Sequence, residues 1–188
     1  MSVSTNELKV GMKVEIENQP YVVIANEFVK PGKGQAFNRI KVKNMVNGRV
    51  VEQTYKSGEK LALADVEEAQ MRFLYKDPEG ATFMDEKTYD QTTIGNDLLA
   101  NLHQWLMEEI TYQVIFYKGN AIEVIPPTFM EMTIVDTAPG VRGDTSGRVL
   151  KPAVTETGAK VAVPIFIEQG QKIKVDTRTS EYVSRAND

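Results

Sequence analysis

The chain has 188 residues, 41% apolar and 26% charged, and its 22 basic against 26 acidic side chains leave a formal charge of −4. This is globular composition, not disorder. With no cysteine and a single histidine, His103, disulfides, thiolate zinc sites, cysteine nucleophiles and imidazole metal clusters are excluded together.

Leu8, Val10, Met12, Val14 and Ile16 alternate with polar residues, the period of a half-buried strand. Asn18-Gln19-Pro20 breaks it and Tyr21 to Ile24 reads as the return strand. A second pair runs from Phe28 to Lys30 and from Ala36 to Lys43 around Pro31-Gly32-Lys33-Gly34. Asn47-Gly48 carries the sharpest hairpin signal, a type I′ turn, with Val50 to Tyr55 as its second arm. Short strands with turns at this spacing point to a small barrel. Met71 to Tyr75 and Ala81 to Met84 flank Asp77-Pro78-Glu79-Gly80, a type I turn. Ile94, Leu98, Leu102 and Trp105/Leu106 then recur at helical spacing, with Asn96 or Asp97 as the cap. Another hairpin, Tyr112 to Tyr117 and Ala121 to Ile125, turns at Lys118-Gly119-Asn120 before Pro126-Pro127. Phe129 to Val135, Lys160 to Ile167 and Lys172 to Asp176 are the remaining strands, and a polar, Gly-rich loop covers residues 139–148. The tail from Arg178 to Arg185 is polar with one aromatic.

Boundaries at Ala64/Asp65 and Pro126/Pro127 give residues 1–64, 65–126 and 127–188. The first carries 10 basic and 6 acidic side chains, the second 4 and 12, the third 8 and 8. A basic module of small-barrel type joined to an acidic one fits a nucleic-acid partner, although ordinary domains also drift apart in charge. No apolar run approaches the roughly 18 residues of a membrane span, and Met1-Ser2-Val3-Ser4-Thr5 lacks a signal-peptide core. A cytoplasmic chain with no membrane partner is expected.

The most informative local feature is Pro31-Gly32-Lys33-Gly34. Proline pre-sets φ and the glycines let the backbone reverse, so Lys33 stands at a narrow tip. Lys30, Arg39, Lys41 and Lys43 make the arms positive. The segment is not a P-loop, because the spacing fails and no Ser or Thr follows the lysine. It reads either as a solvated turn or as a positive finger for an anionic site, open to a modifying enzyme. Gly143-Asp144-Thr145 and its neighbours are either a plain surface loop or a contact loop for phosphates and base edges. Tyr182 and Arg185 could stack and pair on RNA or simply end the chain. His103 reads as structural, and Glu67-Glu68 and Glu108-Glu109 as solvated faces. No catalytic residue, metal set or cofactor site is expected, and the chain is not expected to be an enzyme.

The run from Asn26 to Phe37 (NEFVKPGKGQAF) closely resembles the N-terminal hairpin of bacterial elongation factor P. So do Val135-Asp136-Thr137-Ala138-Pro139-Gly140 with Gly143-Asp144-Thr145, and the C-terminal run from Val175 to Arg185 (VDTRTSEYVSR). The resemblance implies an all-β chain of three small barrels in an L-shaped, tRNA-like outline. Residues 1–64 would be SH3-like (KOW-like), and residues 65–126 and 127–188 OB-like. It further implies a monomeric factor that binds the 70S ribosome between the peptidyl-tRNA and exit sites and relieves stalling on consecutive prolines. Its partners would be ribosomal RNA and peptidyl-tRNA, including prolyl-tRNA. Lys33 matches the family's modified tip, extended with β-lysine by a β-lysyl ligase type of enzyme; a lysine there argues against rhamnose. Gly143-Asp144-Thr145 matches the exit-site codon loop, and Tyr182 and Arg185 a patch that meets the small subunit. The alternative from the residues alone is a generic OB-fold RNA-binding protein.

Overall fold

A computed structural model describes residues 1–141 and 149–186. It is all-β. The first sheet holds β1 (Ser2–Ser4), β2 (Lys13–Ile16), β3 (Gln19–Val29), β4 (Phe37–Asn44), β5 (Val50–Lys56) and β6 (Lys60–Leu63), in the order β1-β6-β2-β3-β4-β5. Val14, Val23, Ile40 and Val42 form its fully buried centre. β4 shows how the pattern dictates the strand: Asn38, Ile40, Val42 and Asn44 are buried, while Arg39, Lys41 and Lys43 between them face water.

Three expectations need correction here. The alternation from Leu8 to Ile16 yields a strand only from Lys13, because Gly11 takes φ +93° and its N–H bonds the Val23 carbonyl. Leu8 is buried, but Val10 is 69% exposed. Tyr21 to Ile24 and Phe28 to Lys30 are not two strands: Tyr21 to Val29 all belong to β3, which continues through a bulge between Val23 and Ala25 and ends before Lys30. Asn47-Gly48 is not a type I′ turn. Only Gly48 has positive φ, and Asn44 controls the loop: its Oδ1 accepts the Val46 and Asn47 N–H groups and its carbonyl accepts that of Gly48. The paired positive φ values that define I′ occur at Glu17-Asn18 and at Lys118-Gly119.

The second sheet holds β7 (Val66–Asp77), β8 (Gly80–Asp85), β9 (Gln91–Gly95), β10 (Thr111–Tyr117) and β11 (Asn120–Ile125), in the order β11-β10-β7-β8-β9. The β7–β8 turn is as expected, with Asp77 Oδ1 accepting the Glu79 and Gly80 N–H groups. The expected helix from Ile94 to Leu106 is not formed. Ile94 is taken by β9, paired with Ala81, and only one helical turn comes after it, α1 (Asn96–Leu99). A 3₁₀ turn at His103–Trp105 continues it through i→i+3 bonds. Neither expected residue caps α1: Gly95 holds the N-cap position, and Asn96 Nδ2 donates to the Pro78 carbonyl instead.

The third sheet holds β12 (Phe129–Thr137), β13 (Leu150–Thr155), β14 (Lys160–Pro164), β15 (Lys172–Asp176) and β16 (Glu181–Arg185), in the order β14-β13-β12-β15-β16. β14 and β16, the two edges of this sheet, also lie near one another, so the sheet curls round its core. Met130, Met132, Ile134, Val161, Ile173 and Val175 fill it together with Trp105. The expected strand from Lys160 to Ile167 stops at Pro164, and Ile167 turns into the core. β13 and β16 are additional to the strands expected from sequence. By compactness the chain divides into two units, Met1–Ala69 with Val114–Glu123, and Gln70–Gln113 with Val124–Asp188.

In the second unit Phe83 meets Phe73 and Tyr112 edge to face, with centroids 5.7 and 5.6 Å away. The fully buried Tyr112 hydroxyl donates to the Trp105 carbonyl and accepts the Met107 N–H. Burial pushes its pKa up to about 12 from the ordinary 10.0. Between those values the unfolded chain has released the proton and the folded one has not, so stability falls as pH rises. The expected loss across that range is about 2–3 kcal/mol. Urea midpoints measured from pH 9 to 12 check it, and Tyr112→Phe should flatten the slope.

Candidate nucleic-acid interface

The β3–β4 hairpin carries the tip anticipated from sequence. Lys30, Gly32, Lys33 and Gly34 are exposed and Pro31 half-buried. Gly34 has φ +109°, a conformation that L side chains rarely adopt, whereas Gly32 is in open space with no such φ. Lys33 therefore sits at the end of an antiparallel ribbon whose last pair is Val29 with Phe37. Among the described residues it has no ion pair.

Arg39, Lys41 and Lys43 share the outer face of β4 at alternate positions, about 7 Å apart. Their surroundings differ. Arg39 lies between Glu27 Oε2 at 3.6 Å and Glu52 Oε1 at 3.5 Å, with its guanidinium 6.0 Å from the centre of the Phe37 ring. These carboxylates are neighbours because the register sets Glu27 opposite Arg39, and Glu52 opposite Lys41. Lys41 and Lys43 have no ion pair among the described residues, and Lys43 lies at the end of β4 away from the tip.

Tyr182 and Arg185 both lie on β16. Tyr182 packs partly against the core of the third sheet. Its burial raises the phenol pKa, with Arg185 acting in the opposite direction. Arg185 is exposed, and its guanidinium lies over the Phe166 ring, 4.6 Å from its centre, a cation–π arrangement. Gly143-Asp144-Thr145 lies outside the described residues. Before β16, Asp176 accepts the Arg178 backbone N–H and two guanidinium bonds, at 3.2 and 2.9 Å. These hold its carboxyl below the ordinary range, the Arg178 side chain contributing most. Thr177 Oγ1 donates to the Pro127 and Thr128 carbonyls. The Asp176-Thr177-Arg178 motif thus builds the β15–β16 turn and ties it to the start of β12.

Sequence reasoning passed over Phe166, which supports Arg185, and the amides of Asn26 and Asn38 inside the hairpin. Among the described residues no group of three or more His, Asp or Glu side chains could hold a metal ion, and no helix is long and apolar enough to cross a membrane. His103 is half-buried on the 3₁₀ turn. Glu109 pairs with Arg72 at 3.4 Å, and Glu68 with Lys13 at 3.8 Å.

Three family models match the chain. Residues 4–61 match the elongation factor P KOW-like domain, residues 66–124 the elongation factor P OB domain, and residues 130–185 the elongation factor P C-terminal domain. Among curated proteins the chain is 64% identical to elongation factor P 2 of Protochlamydia amoebophila (strain UWE25) over 186 residues, 98% of each chain. It is 62% identical, over the same shares, to elongation factor P 2 of Chlamydia trachomatis serovar D. Among solved structures it resembles eukaryotic translation initiation factor 5A from Methanococcus jannaschii, with TM-score 0.53 and 21% identity over 66% of this chain and 94% of that one. A translation initiation factor of the same type from Naegleria fowleri aligns with TM-score 0.54 and 16% identity, over 66% and 95%. These two are likenesses of fold.

Proposed function

The chain belongs to the elongation factor P family of translation elongation factors, and on that premise we propose that it promotes peptide-bond formation at consecutive prolines on the 70S ribosome. It would bind between the peptidyl-tRNA and exit sites, with Lys33 bracing the acceptor end of the peptidyl-tRNA. The observation that carries this reading is Lys33 itself: a lysine without an ion partner among the described residues, at the end of a ribbon, with exposed glycines on both sides. An ammonium there is a compact point charge suited to RNA phosphate and 2′-hydroxyl oxygens. Extension of the side chain with β-lysine, by a ligase-type enzyme, would lengthen its reach and add donors.

Proline is a poor partner in peptide transfer because its ring fixes φ and its nitrogen is secondary. The factor needs no reacting group. Holding the acceptor end and nascent chain in an attack-competent arrangement is enough, since orientation alone is worth up to about 7–11 kcal/mol in small systems. A ten- to hundredfold rescue requires only about 1.4–2.7 kcal/mol.

Within this reading the three modules are residues 1–64, 65–126 and 127–188. Lys30, Lys41 and Lys43 contact ribosomal RNA or tRNA, and Arg39 does so after exchanging its two carboxylates for phosphate. Gly143-Asp144-Thr145 approaches the exit-site codon, and Tyr182 and Arg185 meet the small subunit. The factor would act in the cytoplasm, as a monomer. The test is synthesis of a reporter with three consecutive prolines in a purified translation system, with a proline-free control. Selective acceleration of the first is expected. Equal effects on both, with tight binding to free oligonucleotides, would replace this reading with generic RNA binding.

A further inference from the structure

We infer that Asn26 is a positioning residue, which fixes the direction of the β3–β4 hairpin and with it the place of Lys33. This rests on the bracing role proposed for Lys33. The need for such a device is built into β3. Before its bulge, Gln19 to Val22 pair with β2, and Tyr21 and Val22 pair with β4 on the other side as well. Beyond it, Ala25 to Val29 pair with β4 alone, so the arm that leads to the tip has one strand edge without a neighbouring strand. β5 continues beside β4 as far as Phe37, so β3 is here the bare edge of a three-stranded sheet, where strands retain freedom to twist.

The inner face of that arm is where the apolar core gives way to amides. Asn26 lies opposite the fully buried Ile40, and Asn38 opposite Phe28. Asn26 Nδ2 donates to the Thr5 carbonyl at 2.9 Å and to the Leu8 carbonyl at 3.0 Å, and its Oδ1 accepts Asn38 Nδ2 at 3.1 Å. One side chain thus joins both arms of the hairpin to the segment between β1 and β2. That segment is itself anchored. Thr5 is fully buried, its N–H donates to the Glu59 carbonyl, and its hydroxyl bonds the Lys56 carbonyl and the Gly58 N–H.

The orientation of the amides shows which member of the pair governs the other. Because Asn26 turns its NH₂ toward two carbonyls, only its oxygen remains for Asn38, and Asn38 must present its own NH₂. That leaves Asn38 Oδ1 buried with no partner, an arrangement that costs free energy. The pair is therefore arranged for the Asn26 bonds to the anchored segment, at the expense of Asn38. Beneath the same face lies a cleft of about 560 Å³, lined by Asn6, Leu8, Asn26, Phe28, Asn38 and Ser57, so side-chain packing leaves room for the arm to bend inward. At about 3.4 Å per residue the tip is about 20 Å beyond Asn26, and a swing of about 15° there displaces Lys33 by about 5 Å.

The absence of cysteine allows this to be read directly. Nitroxides are placed at Gln35→Cys near the tip and at Ala62→Cys on β6, a reference held by Ser2 and Glu15, and their distance distribution is measured without ribosomes. A single narrow distribution is expected for the parent chain. Asn26→Ala should broaden it at least twofold, and Asn26→Asp, which cannot donate, should do the same. An unchanged width in folded Asn26→Ala overturns the inference. If that variant fails to fold, Asn38→Ala, which frees only the Asn26 oxygen, is measured instead; a smaller broadening supports the inference and an unchanged width overturns it. In the proline reporter, unlabelled Asn26→Ala should lower the maximal rate about tenfold, with the half-saturating concentration within about twofold of the parent. A raised half-saturating concentration at full maximal rate would make Asn26 a docking residue and overturn the positioning role. Broadened distances, with neither Asn26→Ala nor Lys33→Ala affecting the rate, would leave the hairpin tether standing and remove the reading of Lys33.

Discussion

Lys33→Ala should return synthesis through three consecutive prolines to the rate seen without the factor, a loss of about ten- to hundredfold, while leaving the fold untouched. The two halves of that expectation come from the same geometry. Lys33 is exposed, flanked by exposed glycines, and has no ion pair among the described residues, so truncation removes little buried surface. Surface changes of this kind stay within about 0.5 kcal/mol. Lys33→Arg separates charge from chemistry. Arginine keeps the positive charge, but its planar fork is a different donor from an ammonium, and it offers no primary amine to a lysine-modifying enzyme. The arginine variant should recover only part of the rate. The measurement is peptide yield against time with saturating factor, paired with thermal unfolding of each variant. Wild-type rescue by Lys33→Ala would remove the tip from the mechanism.

The tip was legible in the sequence because everything that makes it is local. Pro31, Gly32 and Gly34 specify a reversal within four residues, whatever the rest of the chain does. The device behind it was not legible. Asn26 bonds Thr5 and Leu8, 21 and 18 residues away, and those bonds exist only because a bulge shifts the register of β3. The same holds for Arg39, a basic residue on a basic strand when read along the chain. Register then places Glu27 and Glu52 beside it, so its positive charge faces two carboxylates.

Secondary structure obeyed the same division. Hairpins closed by local turn chemistry, such as Asp77 to Gly80 and Lys118 to Asn120, lie where the residues put them. The helix failed because Ile94, the first residue of its apolar period, is claimed by a neighbour: it pairs with Ala81 in the second sheet. The stretch after Ile94 makes only one helical turn and then folds Leu99 and Trp105 inward through tight turns. β16 was hidden by its polarity. It has β15 beside it in the sheet order, and it alternates exposed and half-buried positions, so little of it reads as core. β13 was hidden by Pro152, a residue that ordinarily argues against a strand; here it sits opposite Ala162.

Gly80→Ala should destabilise the second unit by about 3 kcal/mol, although its backbone does not require glycine. Gly80 starts β8 opposite Gly95 and has no positive φ. Its constraint is space. A Cβ there would lie 2.0 Å from the Ile94 carbonyl oxygen, 2.9 Å from the Ile94 carbonyl carbon and 3.1 Å from Gly95 Cα. All three are backbone atoms and cannot rotate aside, so the β8–β9 pair must open or shift. That pair holds Ala81 against Ile94 and carries Phe83 into the aromatic cluster with Tyr112, so a local displacement reaches the core. Gly95→Ala is the control. Gly95 has φ −69° and ψ 159°, ordinary extended backbone, and its Cβ would meet nothing within 4 Å. Restricting the unfolded chain there should leave stability unchanged or raise it by about 0.4–1 kcal/mol. Urea unfolding of the two variants compares them directly: opposite signs at two paired glycines identify backbone collision as the cause, and equal effects would show that loss of flexibility governs both.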